Sequence, residues 1–305
     1  MKTKMKKILF FFILVTVFIS CEEEQLPMNM ELYPKKVYIV GTRDQIIHRE
    51  IDLGKTLDTI NLSIAVSGSL PLSKDITVTL EENPDEIDLY NQRNVSGEDV
   101  QFQKLNDSIY YYPLNQVKIQ AGSIYGTYPI CIETASLHCD SLYMLPLRLD
   151  SISDYELSEN DTTVLVRLHL RNKYAGLYYV DGKLKNTEDT SDSLMYKMAR
   201  NLVATDNGNT VRMYHYNLET EDYRPTHTFK ITVNEDNSLS YSTWDQFIIY
   251  DGGGVYHPDV ELYDFWYEYE NNDGTKWRAE GFLYKERETS AEQEKLDDWL
   301  DEHRK

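Results

Sequence analysis

Basic residues are scarce in this chain: 31 lysines and arginines stand against 51 aspartates and glutamates over 305 residues, a formal charge of −20. Phosphate backbones are held by clusters of Lys and Arg, so a body this acidic excludes nucleic acid and anionic membrane surfaces as partners. Long hydrophobic runs are missing too. The longest, Ile8–Ile19, has twelve residues with only Thr16 polar, whereas a helix crossing the hydrocarbon core needs about 20 apolar residues. Cysteine is rare, at three. His138 beside Cys139 has no second ligand pair at zinc-type spacing, so no metal site is assigned. G-x-S-x-G, H-E-x-x-H and a glycine loop between a strand and a helix are also absent. Without them the chain shows no nucleophile elbow, zinc protease or phosphate cradle, and no cofactor is implied.

What the start of the chain does have is a pattern. Lys2, Lys4, Lys6 and Lys7 precede the apolar run, and small Ser20 ends it just before Cys21. A positive head, a short apolar centre and a small residue read as a secretory signal, residues 1–20. Phe18-Ile19-Ser20-Cys21 resembles a bacterial lipoprotein box, with Phe18 where leucine or valine is usual. The resemblance implies cleavage before Cys21 and a lipid on its side chain. Glu22-Glu23-Glu24 resembles the acidic tag behind the lipidated cysteine of Bacteroidetes surface lipoproteins. It implies an outer-membrane protein anchored only by lipid and facing the extracellular side, with 21–34 as linker. Cleavage removes four lysines and no acid, which takes the formal charge from −20 to −24.

The body of the chain alternates. "DITVTLEE" (75–82), "VKIQAG" (117–122) and "TVLVRLHLRN" (163–172) place apolar residues on one face and polar ones on the other. Turn clusters such as "ENPDE" and "NVSGED" separate them. Many short alternating strands indicate an antiparallel sandwich over 35–171, in which no segment keeps a helical period for ten residues. A second run of alternation, rich in tyrosine, fills 172–287. Its last hairpin turns at Asp273-Gly274, and a two-residue turn would set Tyr269 opposite Arg278 and Phe265 opposite Phe282. The main helical candidate in this half is 187–209, where Met195, Met198, Ala199 and Leu202 recur at helical spacing. The tail, 288–305, carries Leu296, Trp299 and Leu300 on one helical face. Ser290 and Gln293 are placed to cap it, and the reading is a terminal helix packed on the second domain.

Cys131 and Cys139 lie eight residues apart, either bridged across a short hairpin or loop or present as two buried thiols. "TDNGN" (205–209) and "NEDNS" (234–238) lack the spacing of a calcium loop and read as turns. His169 faces outward between Arg167 and Arg171, and His215, His227 and His257 form no recognisable set.

"DLYNQRN" (88–94), "YYYPLNQVKIQAGSIYGTYPICI" (110–132) and "DSLYMLPLRLDSIS" (140–153) resemble the immunoglobulin-like N-terminal domain of Bacteroidetes surface lipoproteins. "YAGLYYVDGKL" is similar to the start of a lipocalin-like β-barrel domain paired with it in one branch. The resemblance implies an all-β chain, an immunoglobulin-like sandwich followed by a lipocalin-like barrel. It also implies glycan handling at the cell surface beside outer-membrane glycan-transport components. Glycosidase barrels found behind similar domains need about 250 residues, and only 134 follow Arg171, which disfavours an enzyme. The expected function is a non-catalytic, glycan-binding accessory of a polysaccharide-uptake system. A structural or adhesive module with a protein partner is the first alternative, a hydrolase the second. Aromatic rings and convergent polar groups are what a sugar site needs. The densest such stretch offers Trp244, Tyr250, Tyr256, His257, Asp259, Tyr263 and Trp266, with Gly252–Gly254 expected to bend a loop between them.

Overall fold

The structure, a computed structural model, describes residues 30–303 apart from 43–44, 190, 206, 216–220 and 272. The expected signal, Cys21 and Glu22–Glu24 lie outside the described residues. No helix among the described residues is long and apolar enough to cross a membrane.

Among the described residues, eleven strands build the first unit, a two-sheet sandwich. One sheet has the order β10-β1-β3-β8-β6, from β1 (Lys36–Ile39), β3 (Leu57–Val66), β6 (Tyr110–Tyr111), β8 (Tyr125–Glu133) and β10 (Glu156–Leu157). The facing sheet runs β2 (Ile46–Asp52), β11 (Thr163–Arg171), β9 (Leu142–Ile152), β4 (Ile76–Glu82) and β7 (Val117–Ile119), with β5 (Phe102–Lys104) on β9. The period-two pattern becomes the core directly. Ile60, Leu62 and Ile64 of β3 and Val164, Val166 and Leu168 of β11, one strand from each sheet, are buried in one core. One element departs from the all-strand reading: α1 (Asp85–Asn94). Its acidic first turn, Asp85, Glu86 and Asp88, suits a helix N-terminus. Its buried face is only Ile87 and Asn91, and Asn91 exchanges two hydrogen bonds with the Phe102 backbone, at 2.8 and 3.0 Å. With one apolar residue facing inward, the helical period had too little amplitude to register.

The two cysteines are not bridged. Cys131 is buried on β8, in one sheet, while Cys139 lies in the crossover to β9 in the other. The chain between them changes sheets instead of turning back in a hairpin.

Eight antiparallel strands form the second unit: β12 (Gly176–Asn186), β13 (Ser193–Ala204), β14 (Thr210–Tyr214), β15 (Thr228–Val233), β16 (Leu239–Thr243), β17 (Ile249–His257), β18 (Leu262–Glu270) and β19 (Lys276–Tyr284). Each pairs with its sequence neighbour except at β16/β17, and β19 returns to pair with β12. The seam between β16 and β17 is held by the Ser238–Val255 bridge and by Tyr256 N–H donating to the Asn237 carbonyl at 2.8 Å, so the barrel is nearly closed. An eight-stranded barrel is just wide enough to be filled by side chains. Here the filling is aromatic: Tyr178, Tyr256, Tyr263, Tyr267, Phe229 and Phe265 are all fully buried.

Three expectations are corrected in this unit. Residues 193–204 are strand, not helix: Tyr196, Arg200, Leu202 and Ala204 point inward while Met195 and Ala199 face out. Met198 and Leu202 fit both periods, and ten paired residues against β12 settle the contest. The last hairpin is one residue longer than expected, with Asn271 N–H reaching the Thr275 carbonyl and Gly274 at φ +84°. Tyr269 therefore pairs Trp277 and Phe265 pairs Gly281. The glycine run is strand β17, not loop. Gly254 sits at φ +132°, where a Cβ would overlap the Asp264 carbonyl.

After the barrel, α3 (Ser290–His303) packs Leu296 and Leu300 on Val260 and Leu262, with Trp299 against Phe282; a short α2 (Arg224–His227) precedes β15. The cap of α3 is Thr289, one residue before the expected Ser290. Its hydroxyl accepts from Glu292 N–H at 3.3 Å while the Glu292 carboxylate takes Thr289 N–H at 3.2 Å. Thr289→Ala is expected to cost about 1 kcal/mol, read as an earlier loss of helical signal in a thermal melt.

Candidate functional site

A groove of about 610 Å³ lies on the outer wall of the barrel. It is built from the outward residues of four neighbouring strands, and register fixes their order. One row crosses the sheet as Lys197, Asp181, Phe282 and Asp264; the next runs Met195, Lys183, Glu280, Trp266 and Gly253. Gly253 lies close under its neighbour: a Cβ there would sit 3.1 Å from Trp266 Nε1, so a larger residue would have to shift the indole. Helix α3 forms one end of the groove. There the His303 ring stacks on Trp299 at 3.9 Å, and Trp299 meets Phe282 edge-on at 5.5 Å.

The charges in the groove are mostly committed to each other. Lys197 pairs with Asp181 at 3.0 Å. Arg278 stacks on Trp266, 3.9 Å from the ring centroid, and is steadied by Glu280 at 3.2 Å and Glu268 at 3.5 Å. Asp264 differs, since its carboxyl makes no hydrogen bond or ion pair among the described residues. Burial pushes this carboxyl above its ordinary 3.8, and the nearby His257 and His303 only partly offset that. A carboxyl with a raised folded pKa holds its proton more tightly when folded. Its stabilising contribution is complete below the unfolded value and lost as pH rises through the folded one. Asp264→Asn is therefore expected to raise stability at pH 7, by less than about 1 kcal/mol given its partial exposure, and to leave it unchanged near pH 3. Urea midpoints at the two pH values check this.

The seven residues expected to form one platform are dispersed. Trp266 is in the groove. Tyr256 and Tyr263 are inside the barrel, packed on each other at 4.9 Å, so they are core. Tyr250 is exposed near Glu270, 3.4 Å from its hydroxyl. His257 packs on Trp299 at 4.7 Å, and the Asp259 carbonyl receives Lys295 at 2.9 Å, which ties both to α3. Trp244 is at the junction of the two units. It covers the Arg212 guanidinium at 4.6 Å, with His138 of the sandwich 5.9 Å away. Of the unforeseen members of the groove, Asp264, Arg278, Glu280 and Phe282 come from the outward phase of β18 and β19, and Asp181, Lys183, Met195 and Lys197 from that of β12 and β13. That phase was visible in the alternation, but with the register one residue off, the cross-strand rows could not be assembled.

Other sequence features find structural roles. His138, Cys139 and Asp140 cluster within 4.8 Å, yet Asp140 already binds Arg212 at 2.7 Å and Arg224 at 2.9 Å, two cations that would repel a metal. His215 is buried beside the Tyr267 hydroxyl at 2.8 Å, and burial lowers its pKa to about 3. His169 lies against His48 of β2, nitrogen to nitrogen at 2.7 Å.

Two family models match the chain, one of an N-terminal domain over residues 33–156 and one of a C-terminal domain over 162–283. No curated protein matches in sequence. The fold is similar to that of a protein of unknown function from Bacteroides ovatus, at 17% identity and a TM-score of 0.62, covering 81% of this chain and 93% of that one. A second Bacteroides ovatus protein of unknown function aligns at 13% identity and 0.59, over 83% and 95%. An auxiliary nutrient binding protein from Bacteroides thetaiotaomicron aligns at 15% identity and 0.55, over 78% and 90%. At such identities the likeness is one of fold.

Proposed function

We propose that this chain, a member of a family that joins these two domains, is a non-catalytic glycan-binding protein whose site is the outer groove of the barrel. The observation that carries this reading is Trp266 and Phe282 set among outward carboxylates and amines in one recess. Sugar rings lay C–H faces on aromatic surfaces while their hydroxyls donate to carboxylates and accept from cations. Its volume falls in the range of small-molecule sites, about 300–1,000 Å³. A fold neighbour is named an auxiliary nutrient binding protein, and the reading is in keeping with it. In this proposal Cys21 carries the lipid, the acidic linker holds the body on the extracellular face of the outer membrane, and captured glycan passes to a transporter.

The second reading, a module for a protein partner, draws on Ile248, Tyr250 and Val255, which are exposed along the incompletely paired seam. A glycan array probed with the soluble chain lacking Cys21 separates the two. Glycan reading predicts retained oligosaccharides and no cleavage products; an empty array supports the seam, and released products support a hydrolase.

A further inference from the structure

We propose, on the reading that this groove holds a glycan, that its ligand is an uncharged oligosaccharide and that Asp264 is the group that takes its hydroxyls. The groove is formally balanced, with Asp181, Asp264 and Glu280 against Lys183, Lys197 and Arg278, in a molecule of net charge −20. Lys197 is paired to Asp181, and Arg278 to Glu280 and Glu268. Lys185 adds a second cation to Glu280. Lys183 and Asp264 remain, of opposite sign on adjacent rows, and neither forms an ion pair among the described residues.

An anionic sugar would meet one uncommitted cation beside one uncommitted carboxylate. To gain a second cation it would have to pull Lys197 or Arg278 from its acid, leaving that acid facing the ligand. The field of the whole molecule opposes its approach as well. A cationic sugar finds no net negative charge in the groove. An uncharged sugar suits the arrangement, because a half-buried carboxylate without donors carries a desolvation cost that incoming hydroxyls relieve. Lys183 supplies the complementary donor to a ring or hydroxyl oxygen. Burial already raises the Asp264 carboxyl, and such strained groups gather where ligands bind.

The test is affinity electrophoresis of the soluble chain without Cys21. One set of gels contains β-glucan, galactomannan or arabinan, and the other alginate, polygalacturonate or chondroitin sulfate. Retardation is expected only among the neutral polymers. Asp264→Asn should weaken it about tenfold, the loss of one charge-assisted hydrogen bond, without loss of stability. Trp266→Ala should abolish it. Retardation by an acidic polymer that depends on Trp266 overturns the uncharged ligand while keeping the glycan reading. Retardation by neither class overturns the reading itself, and this inference with it. Unchanged binding by Asp264→Asn removes Asp264 from its assigned role.

Discussion

Asp140→Ala is expected to lower the free energy of unfolding by about 3 kcal/mol and to divide one unfolding transition into two. Asp140 belongs to the sandwich, in the crossover from β8 to β9, and reaches across to Arg212 of β14 at 2.7 Å and Arg224 of α2 at 2.9 Å. Arg212 is only 4% exposed. Its Nε has no partner among the described residues, and its guanidinium lies under the Trp244 ring. Removing Asp140 leaves that cation buried beside an aromatic face, with no other acid paired to it among the described residues. Breaking a buried pair in this way costs roughly 3–5 kcal/mol, and the one-fifth exposure of Asp140 argues for the lower end. Asn172, directly after β11, anchors the connecting chain to the barrel independently, its amide donating to the Thr210 carbonyl at 2.8 Å, so the units separate in stability without falling apart. Pairing Asp140→Ala with Arg212→Met should recover most of the loss, since an apolar replacement of both partners leaves no orphaned charge. Calorimetry of the single and double variants reads both effects. One unshifted transition in Asp140→Ala would show that the pair does not couple the units.

Tyr256→Ala carries the second large effect, a loss of about 3–5 kcal/mol, the range for deleting a buried aromatic ring. Tyr256 is wholly buried, with the rings of Tyr174 at 5.0 Å and Tyr263 at 4.9 Å set edge-to-face around it. It also supplies the N–H that fastens β17 across the seam. Its hydroxyl has no hydrogen-bond partner among the described residues, and a buried unsatisfied hydroxyl is a cost. Tyr256→Phe is therefore expected to be neutral or to stabilise by up to about 1 kcal/mol. Denaturant midpoints distinguish the packing role from the polar one: equal losses in both variants would mean that the hydroxyl matters after all.

Tyr256 and Trp266 also show how far the sequence could be read. Both sit in alternating strands of one aromatic-rich stretch, and composition cannot tell the inward phase from the outward one. Phase depends on register, and register turned on a single residue in the loop before Thr275, where Gly274 adopts a left-handed conformation. Local alternation sufficed for β4 and β15, whose apolar residues face a single core, and for β11 apart from Leu165, which packs with Ile87 of α1 and Met144. It failed at β13, where a buried Arg200 interrupts the apolar series, and at β17, whose glycines make room for the Trp266 indole and the Asp264 carbonyl. The groove is assembled from strands far apart in sequence, β12–β13 and β18–β19. No short window contains it.

The most direct measurement compares Trp266→Ala with Trp244→Ala in calorimetric titrations of the soluble chain against an oligosaccharide it retains. Trp266 lines the groove, and Trp244 caps the domain junction. The expected result is that Trp266→Ala abolishes binding at unchanged stability, while Trp244→Ala binds as the parent does but unfolds earlier. Binding that survives Trp266→Ala and is lost with Trp244→Ala would contradict a site on the barrel's outer wall.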